Sequence, residues 1–213
     1  MPTLYYIPGS AAMAPHAALE EIGEPFETRE VVRDEHGRSS PDYLRINPLG
    51  RVPAFVDDDG LVLWESAAIL IHLADRHPTA VLLPPHGTRE RSIALRWLVY
   101  FTNTVQATFR HFAYPERLVG PEAQALVRDG AEDHLLAALD HVETELGNGP
   151  HLLGDRFSAP DLYLHMVTRW CRRLRRKAWD LPNIGAHYAL LSERPSVKRM
   201  LEAHGLVAYP EDY

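Results

Sequence analysis

The stretch that decides the fold is RVPAFVDDDGLVLWESAAIL, from Arg51 to Leu70. Two short apolar runs, Arg51 to Val56 and Leu61 to Trp64, are separated by an Asp-Asp-Asp-Gly sequence. An Asp-Gly turn between such runs predicts a β-hairpin. Ser66 then precedes the apolar run AAILIHLADRH, which Pro78 ends. The segment therefore predicts two antiparallel strands followed by a helix.

The residues before this segment predict a β-α-β unit. Thr3 to Ile7 is a β-favouring run, and Phe26 to Val32 predicts a second strand. Between them, Pro15 to Ile22 predicts a helix with Pro in its first turn and Gly23 just past its end. The turn PGSAA, residues 8–12, joins the first strand to this helix and carries no strongly reactive side chain.

Downstream of the hairpin the pattern becomes helical throughout. The aperiodic, Pro-Pro-containing stretch TAVLLPPHG predicts a linker. Apolar residues at helical spacing follow, most clearly Leu135, Leu139, Val142 and Leu146. We therefore expect an α/β domain over residues 1–78, a linker over 79–88 and an all-helical domain over 89–213.

The composition excludes several classes of protein. The 213 residues carry a formal net charge of −7 and are 46% hydrophobic, which is ordinary for a globular protein and unlike a basic nucleic-acid binder. No apolar run approaches the roughly 18 residues of a membrane span, and no secretory signal is evident. Cys171 is the only cysteine, as is usual in a reducing compartment. We expect a cytoplasmic protein with neither a membrane nor a nucleic acid as partner.

Two loops near the hairpin have features of a binding site for a peptide-like ligand. Pro53 removes one ladder donor at the start of a strand, which leaves backbone groups near Val52 for an extended peptide to pair with. Ser66 is a good N-cap, and the N–H groups of the first helical turn favour a carboxylate, while Glu65 favours an ammonium group. The structural alternatives are an ordinary edge strand and a simple helix cap.

The order and spacing of several motifs resemble the cytosolic glutathione transferases, most closely their bacterial beta-type branch. The motifs are LYYIPGSAAMAPHAALEEIG, INPLGRVPAF, LWESAAILIHLAD, LLGDRFSAPDLYL, Arg169-Trp170 and SERPSVKRMLEAHGL, and the resemblance covers essentially the whole chain. It implies a thioredoxin-like α/β N-terminal domain, an all-α C-terminal domain and a homodimer. It also implies glutathione as co-substrate, a small apolar electrophile as second substrate and no metal.

The resemblance also assigns roles to single residues. Val52, next to a cis Pro53, would pair with the cysteinyl unit of glutathione, and Glu65 and Ser66 would hold its γ-glutamyl group. Asn103 and Gln106 would also reach glutathione, and the second-substrate pocket would be formed by Phe109, Arg110, Tyr114 and Trp170. The alternative for Phe109 and Trp170 is that they belong to the core. Ser158 and Asp161 match a helix-capping box.

The chain departs from the beta-type pattern at the catalytic positions. Ala11 stands where those relatives carry a cysteine, and Gln106 and Ala107 match their histidine–lysine pair. Ala11 would therefore contact glutathione without forming a mixed disulfide. The candidates for stabilising the glutathione thiolate are the Ser10 hydroxyl, the Tyr6 hydroxyl and the backbone N–H groups from Ala11 to Met13.

The expected function is conjugation of glutathione to an electrophile or reduction of a peroxide. The main alternative is a non-catalytic glutathione-binding carrier or interaction protein of the same fold. A third hypothesis, a nucleic-acid or regulatory module, depends only on the basic run from Arg169 to Lys177. The 12 histidines form no recognisable metal-binding motif, and Cys171, inside a predicted helix, is expected to be inert.

Overall fold

The computed structural model describes residues 1–147 and 149–210 and divides into two compact units. Unit 1 contains residues 1–83 and the described residues from 193 onward, and unit 2 contains residues 84–192. The predicted domains placed the whole C-terminal part in the helical domain, of which residues 211–213 lie outside the described residues. In the division by contacts the last helix lies in unit 1.

The described residues of unit 1 form four strands and four α-helices. The strands are β1 Thr3–Tyr6, β2 Glu27–Glu30, β3 Ala54–Val56 and β4 Val62–Trp64, and the helices are α1 Met13–Ile22, α2 Pro41–Ile46, α3 Ser66–Arg76 and α9 Pro195–Ala203. The helices of unit 2 are α4 Arg89–Tyr100, α5 Ala107–Ala113, α6 Gln124–Leu146, α7 Ala159–Trp170 and α8 Pro182–Ser192. Within the described ranges, no helix is long and apolar enough to cross a membrane.

The sheet of unit 1 has the order β2-β1-β3-β4. β1 and β2 are parallel, while β3 is antiparallel to both β1 and β4. This arrangement confirms the predicted βαβ-ββα fold and the Asp-Gly hairpin. Leu4 and Phe55 from the sheet and Ile69 and Leu70 from α3 are all buried, so the apolar faces of sheet and helix form one core.

Helix α2 is an element that the sequence analysis did not predict. Ser40 caps it by accepting a hydrogen bond from the Tyr43 amide at 3.2 Å, and Pro41 occupies its first position. The Ser-Pro pair was the available signal for a helix start. Tyr43 Oη and Asn47 Nδ2 then donate to the Arg51 carbonyl at 2.5 and 2.7 Å. Helix α2 thereby fixes the chain immediately before Val52.

Helix α9 is attached to α1 by two ion pairs. Arg194 donates to both carboxylate oxygens of Glu21 at 2.6 and 2.8 Å, and Arg199 pairs with Glu20. Helix α1 ends at Gly23, whose φ of 74° is left-handed and whose amide bonds the Leu19 carbonyl. These contacts place the C-terminal end of the described chain beside the first helix of unit 1.

In unit 2, a π-helical turn interrupts the helical segment that begins at Arg89. The turn spans Phe101–Gln106 and separates α4 from α5. Such turns widen a helix locally and often occur at functional sites. Tyr163 from α7 stacks on Phe101 with ring centroids 5.7 Å apart. The four apolar positions predicted to share one face of α6 are all buried, as expected.

Asp161 is the centre of a buried hydrogen-bond network at the start of α7. One carboxylate oxygen accepts from the Ser158 amide and hydroxyl at 2.7 and 3.0 Å. The other accepts from the Leu152 amide at 2.9 Å and from His187 Nε2 at 3.1 Å. The predicted capping box is therefore present, and its carboxylate also joins α8 and the preceding loop.

We expect Asp161→Asn to lower the free energy of unfolding by about 3 kcal/mol, because the amide group would meet buried donors that need an acceptor. Ser158→Ala, which removes only a hydroxyl, should cost about 1 kcal/mol. Urea denaturation measures both values. Asp155→Asn, an exposed substitution in the same loop, is the control. Equal effects of the two Asp variants would contradict the central role of Asp161.

Candidate functional site

The turn between β1 and α1 is organised around Ser10. Its hydroxyl oxygen lies 3.4 Å from the Ile7 amide and 3.3 Å from the Ala12 amide, both of which donate to it. Its carbonyl accepts from the Met13 amide at 3.1 Å. Because the hydroxyl oxygen acts as acceptor, its proton is left for another partner.

These contacts reduce the number of backbone N–H groups at the turn that could donate to a ligand. The Ala12 and Met13 amides, two of the three that the sequence analysis considered, already bond Ser10. The Ala11 amide makes no hydrogen bond to any residue in the described ranges. The turn therefore offers one hydroxyl proton and one amide proton side by side.

A partly buried hydrogen bond joins this turn to the start of α3. Ser66 Oγ donates to the Ala11 carbonyl at 2.7 Å, and Ser66 is only 2% exposed. The expectation that Ser66 is the N-cap of this helix is wrong, since Ser66 is the first helical residue and Glu65 occupies the N-cap position. At the first helical position the Ser66 hydroxyl does not cap its own helix. It donates instead to the Ala11 carbonyl of the neighbouring turn.

Glu65 has an unusual backbone conformation. Its φ of 75° and ψ of 115° lie in a region that non-glycine residues rarely adopt, and its side chain makes no capping bond. The residue is exposed. Strained backbone of this kind is concentrated at ligand sites, where it aims a side chain or amide that a relaxed backbone would turn away.

The Val52-Pro53 segment lies at the same end of the sheet as the Ser10 turn. Ala54 in β3 lies opposite Tyr5 in β1, so the two residues before Ala54 lie beside the end of β1, where the Ser10 turn begins. The Val52–Pro53 peptide bond is cis. Neither the amide nor the carbonyl of Val52 bonds another described residue, which leaves both for an extended ligand.

Tyr6, the other candidate thiolate donor, is engaged elsewhere. Its hydroxyl donates to the Ala203 carbonyl at the end of α9, at 3.4 Å. Its ring lies 4.7 Å from that of His204, centroid to centroid. The Tyr6 hydroxyl therefore has a structural partner in α9, whereas the Ser10 proton has none among the described residues.

Two buried histidines lie behind the Ser10 turn. The Gly9 amide donates to His204 Nδ1 at 3.2 Å, and His204 Nε2 lies 3.0 Å from His16 Nδ1. Burial lowers the pKa of His16 to about 4, although the nearby Glu20 carboxylate acts in the opposite direction. Sequence analysis missed this pair because its members are 188 positions apart.

In unit 2 the predicted second-substrate residues lie on α5 and α7. Phe109 and Trp170 stack with centroids 5.4 Å apart, and both are partly exposed rather than fully buried. Tyr114 is 44% exposed, with the Arg117 guanidinium 4.3 Å from its ring centroid. The structure thus brings Phe109 and Trp170 together and gives Tyr114 a separate cationic neighbour. Arg110 is partly exposed in the last turn of α5.

Asn103 and Gln106 both lie on the π-helical turn of unit 2. Asn103 is exposed, and the Gln106 amide oxygen accepts a hydrogen bond from Tyr163 Oη. With its oxygen held by Tyr163, Gln106 has its amide N–H₂ group for donation. The position that carries histidine in the resembled branch thus presents a neutral donor here.

Comparison with known proteins identifies the family. The glutathione S-transferase N-terminal domain model matches residues 2–75, and the C-terminal domain model matches residues 124–199. The chain belongs to the glutathione S-transferase family. Glutathione S-transferase GstA of Escherichia coli O157:H7 is 32% identical over 95% of this chain and 98% of that protein.

Solved glutathione transferases share the whole architecture. The enzyme from Methylococcus capsulatus is 39% identical, with a TM-score of 0.84 over 97% of this chain and 100% of that one. A sphingomonad glutathione S-transferase complexed with glutathione is 30% identical, with a TM-score of 0.83 over 96% and 100%. The bacterial beta class enzyme of Sphingomonas chungbukensis is 32% identical, with the same TM-score and coverage.

Features outside the glutathione transferase site have structural explanations. Complete burial raises the pKa of Cys171 to about 12, so its thiol stays protonated at neutral pH. Arg175 and Arg176 from the basic run pair with Asp133 and Asp140 of α6, each at 2.5 Å. Two of the six basic residues behind the nucleic-acid hypothesis are therefore paired with acidic groups within unit 2.

The fold also assembles a histidine–carboxylate cluster that the sequence analysis missed. Ligand atoms of His151, Asp161 and His187 lie within 4.8 Å of one another. The Asp161 carboxylate already accepts four hydrogen bonds from protein donors. Because of those bonds, we interpret the cluster as part of the hydrogen-bond network around the capping box of α7.

We expect the stability of this transferase to fall as the pH drops from 6.5 towards 4, because His16 binds a proton in the unfolded chain before it does in the folded one. His16→Gln should reduce the slope of unfolding free energy against pH in this window by about one proton. Urea denaturation at several pH values measures the slope. His36→Gln, at a largely exposed histidine, should leave it nearly unchanged, and identical slopes for wild type and His16→Gln would refute the expectation.

Proposed function

We propose that this member of the family binds glutathione along the Ser10 turn, Val52 and the start of α3, and that Ser10 stabilises its thiolate for transfer to an apolar electrophile. The glutathione-binding transferase function itself follows from membership of the family across both domains. The observation that carries the detailed proposal is the 2.7 Å bond from Ser66 to the Ala11 carbonyl. That bond keeps the start of α3 and the Ser10 turn together in unit 1.

The charges and backbone groups of this region match the parts of glutathione. The exposed Glu65 carboxylate suits the γ-glutamyl ammonium group, and the N–H groups at the start of α3 suit the adjacent carboxylate. The Val52 amide and carbonyl suit the backbone of the cysteinyl unit. The cysteinyl sulfur would then lie towards the Ser10 turn at the end of β1.

The Ser10 hydroxyl is suited to stabilise a thiolate by hydrogen bonding. Two amides donate to its oxygen, and hydrogen bonds in such a chain polarise one another, which makes the remaining proton a better donor. The Ala11 amide adds a second donor. With Ala11 in place of a cysteine, the turn holds no sulfur that forms a mixed disulfide, so the bound glutathione supplies the nucleophile.

Several finer points of the proposal depend on likeness rather than geometry. We place the chain nearest the beta-type branch, as the match to a beta class structure supports. Phe109 and Trp170 provide an apolar surface suited to an electrophile. A peroxide is the alternative substrate, whose reduction would convert two molecules of glutathione to the disulfide. We infer a homodimer, which the exposed apolar residues Val62 and Trp64 on the edge strand β4 support.

Ser10→Ala should raise the thiol pKa of bound glutathione by about one unit and lower kcat about tenfold, because one hydrogen bond to the thiolate is lost. Tyr6→Phe should change the thiol pKa little, since its hydroxyl bonds the Ala203 carbonyl. Thiolate absorbance during a pH titration measures the pKa in each complex. The reverse ranking of the two variants would assign thiolate stabilisation to Tyr6.

Glu65→Gln should weaken glutathione binding about tenfold, because it removes the charge opposite the ammonium group while keeping the size of the side chain. Isothermal titration calorimetry measures the dissociation constant. Glu35→Gln removes a highly exposed carboxylate of the same unit and is the matched control. Equal affinities for both variants would refute the proposed role of Glu65.

A non-catalytic carrier remains the alternative function, and the same measurements separate it from the enzyme. A carrier binds glutathione without shifting its thiol pKa and shows no turnover with electrophiles or peroxides. The polarised Ser10 hydroxyl favours the enzyme, because binding alone does not need a donor at the sulfur.

A further inference from the structure

The C-terminal end of α9 contacts the turn that holds Ser10. His204 follows the last residue of α9, is 3% exposed and accepts the Gly9 amide proton on Nδ1 at 3.2 Å. Gly9 immediately precedes Ser10. A side chain 195 positions along the chain therefore holds the backbone beside the proposed thiolate donor.

The hydrogen bonds that join Gly9, His204 and His16 allow only one assignment of donors and acceptors. The Gly9 amide can only donate, so His204 Nδ1 must carry a lone pair and its proton must be on Nε2. His204 Nε2 then donates to His16 Nδ1 at 3.0 Å, which places the His16 proton on Nε2, 3.8 Å from Glu20. Both histidines are therefore neutral, and each fixes the tautomer of the other.

We propose that His204 is a positioning residue for glutathione activation: it holds the Gly9-Ser10 turn so that the Ser10 hydroxyl points at the thiolate, and His16 maintains the tautomer that allows this. The proposal rests on the proposed role of Ser10. It adds to that role a residue from the far end of the chain.

Attachment of α9 does not depend on the His204 contact. Arg194 forms its two bonds to Glu21, and Val197, Met200 and Leu201 are buried. These contacts hold the helix on α1 at a distance from the turn. The bond to Gly9 is thus an additional, directional contact, of a kind that fixes geometry more than it adds stability.

Protonation of His16 would reverse the direction of the hydrogen bonds. A proton on His16 Nδ1 would meet the proton on His204 Nε2, and the tautomer that relieves this conflict places a proton on Nδ1, facing Gly9. Among the described residues, the polar groups facing the two imidazoles include the Gly9 amide, the Glu20 carboxylate and the Tyr6 ring and hydroxyl. The lowered pKa of His16 keeps that ring neutral at neutral pH.

Two substitutions at position 204 separate positioning from packing. In His204→Asn the short side chain keeps an oxygen near the place of Nδ1, so it can still accept from Gly9. In His204→Gln the longer side chain keeps a polar atom near the place of Nε2, so it retains the contact to His16 but loses the acceptor for Gly9. Lys198→Ala, an exposed change on α9, controls for substitution in this helix.

We expect His204→Gln to lower kcat about tenfold with little change in the KM for glutathione, and to raise the thiol pKa of the bound glutathione. His204→Asn should stay within about threefold of wild type in kcat, because a neutral hydrogen bond is retained. Both variants should lose similar amounts of thermal stability. Activity that follows thermal stability, or equal kcat and thiol pKa in the two variants, would overturn the positioning role.

Amide hydrogen exchange at Gly9 tests the contact without any activity. Exchange should be faster in His204→Gln than in wild type and close to wild type in His204→Asn; equal rates in all three proteins would refute the His204–Gly9 bond. A wild-type protein that leaves the glutathione thiol pKa unshifted would instead refute the role of Ser10, whatever the exchange rates show.

Discussion

The hydrogen bond from the Ser66 hydroxyl to the Ala11 carbonyl is the constraint on which the site depends. It joins the start of α3 to the turn after β1 across 55 positions of sequence. Because Ser66 is buried, loss of the Ala11 carbonyl as acceptor would leave its hydroxyl without a hydrogen bond. The bond therefore sets the separation between the start of α3 and the Ser10 turn, the two parts of the proposed glutathione site.

Strand pairing supplies the third fixed point. Ala54 opposite Tyr5 brings Val52 and Pro53 to the end of β1, and α2 holds the preceding carbonyl of Arg51 through Tyr43 and Asn47. Val52 can then keep its own backbone groups unpaired without becoming mobile. We interpret the backbone strain at Glu65 in a similar way. Ser66 fixes the start of α3, and the adjacent Glu65 has a positive φ.

Patterns within short stretches of sequence predicted the strands, the hairpin, α1, α3 and the helical second half. Resemblance added the roles of Val52, Glu65 and Ser66, which composition does not reveal. Contacts between distant residues could not be predicted: the Gly9–His204 bond, the position of α9 in unit 1 and the Tyr6–Ala203 bond all depend on tertiary packing. The wrong N-cap at Ser66 has the same origin, because its hydroxyl bonds a neighbouring loop instead of its own helix.

Alanine, rather than cysteine, at position 11 limits what the turn can do chemically. A cysteine there would compete with glutathione as a nucleophile and could store it as a disulfide. Ala11 instead contributes a carbonyl that positions α3 and an amide that can donate to an anion. In the proposed mechanism the Ser10 hydroxyl stabilises the thiolate by hydrogen bonding without itself titrating. The ionisation that governs the nucleophile would then be that of the glutathione thiol, and the proposed part of His204 and His16 is to set where the donors point.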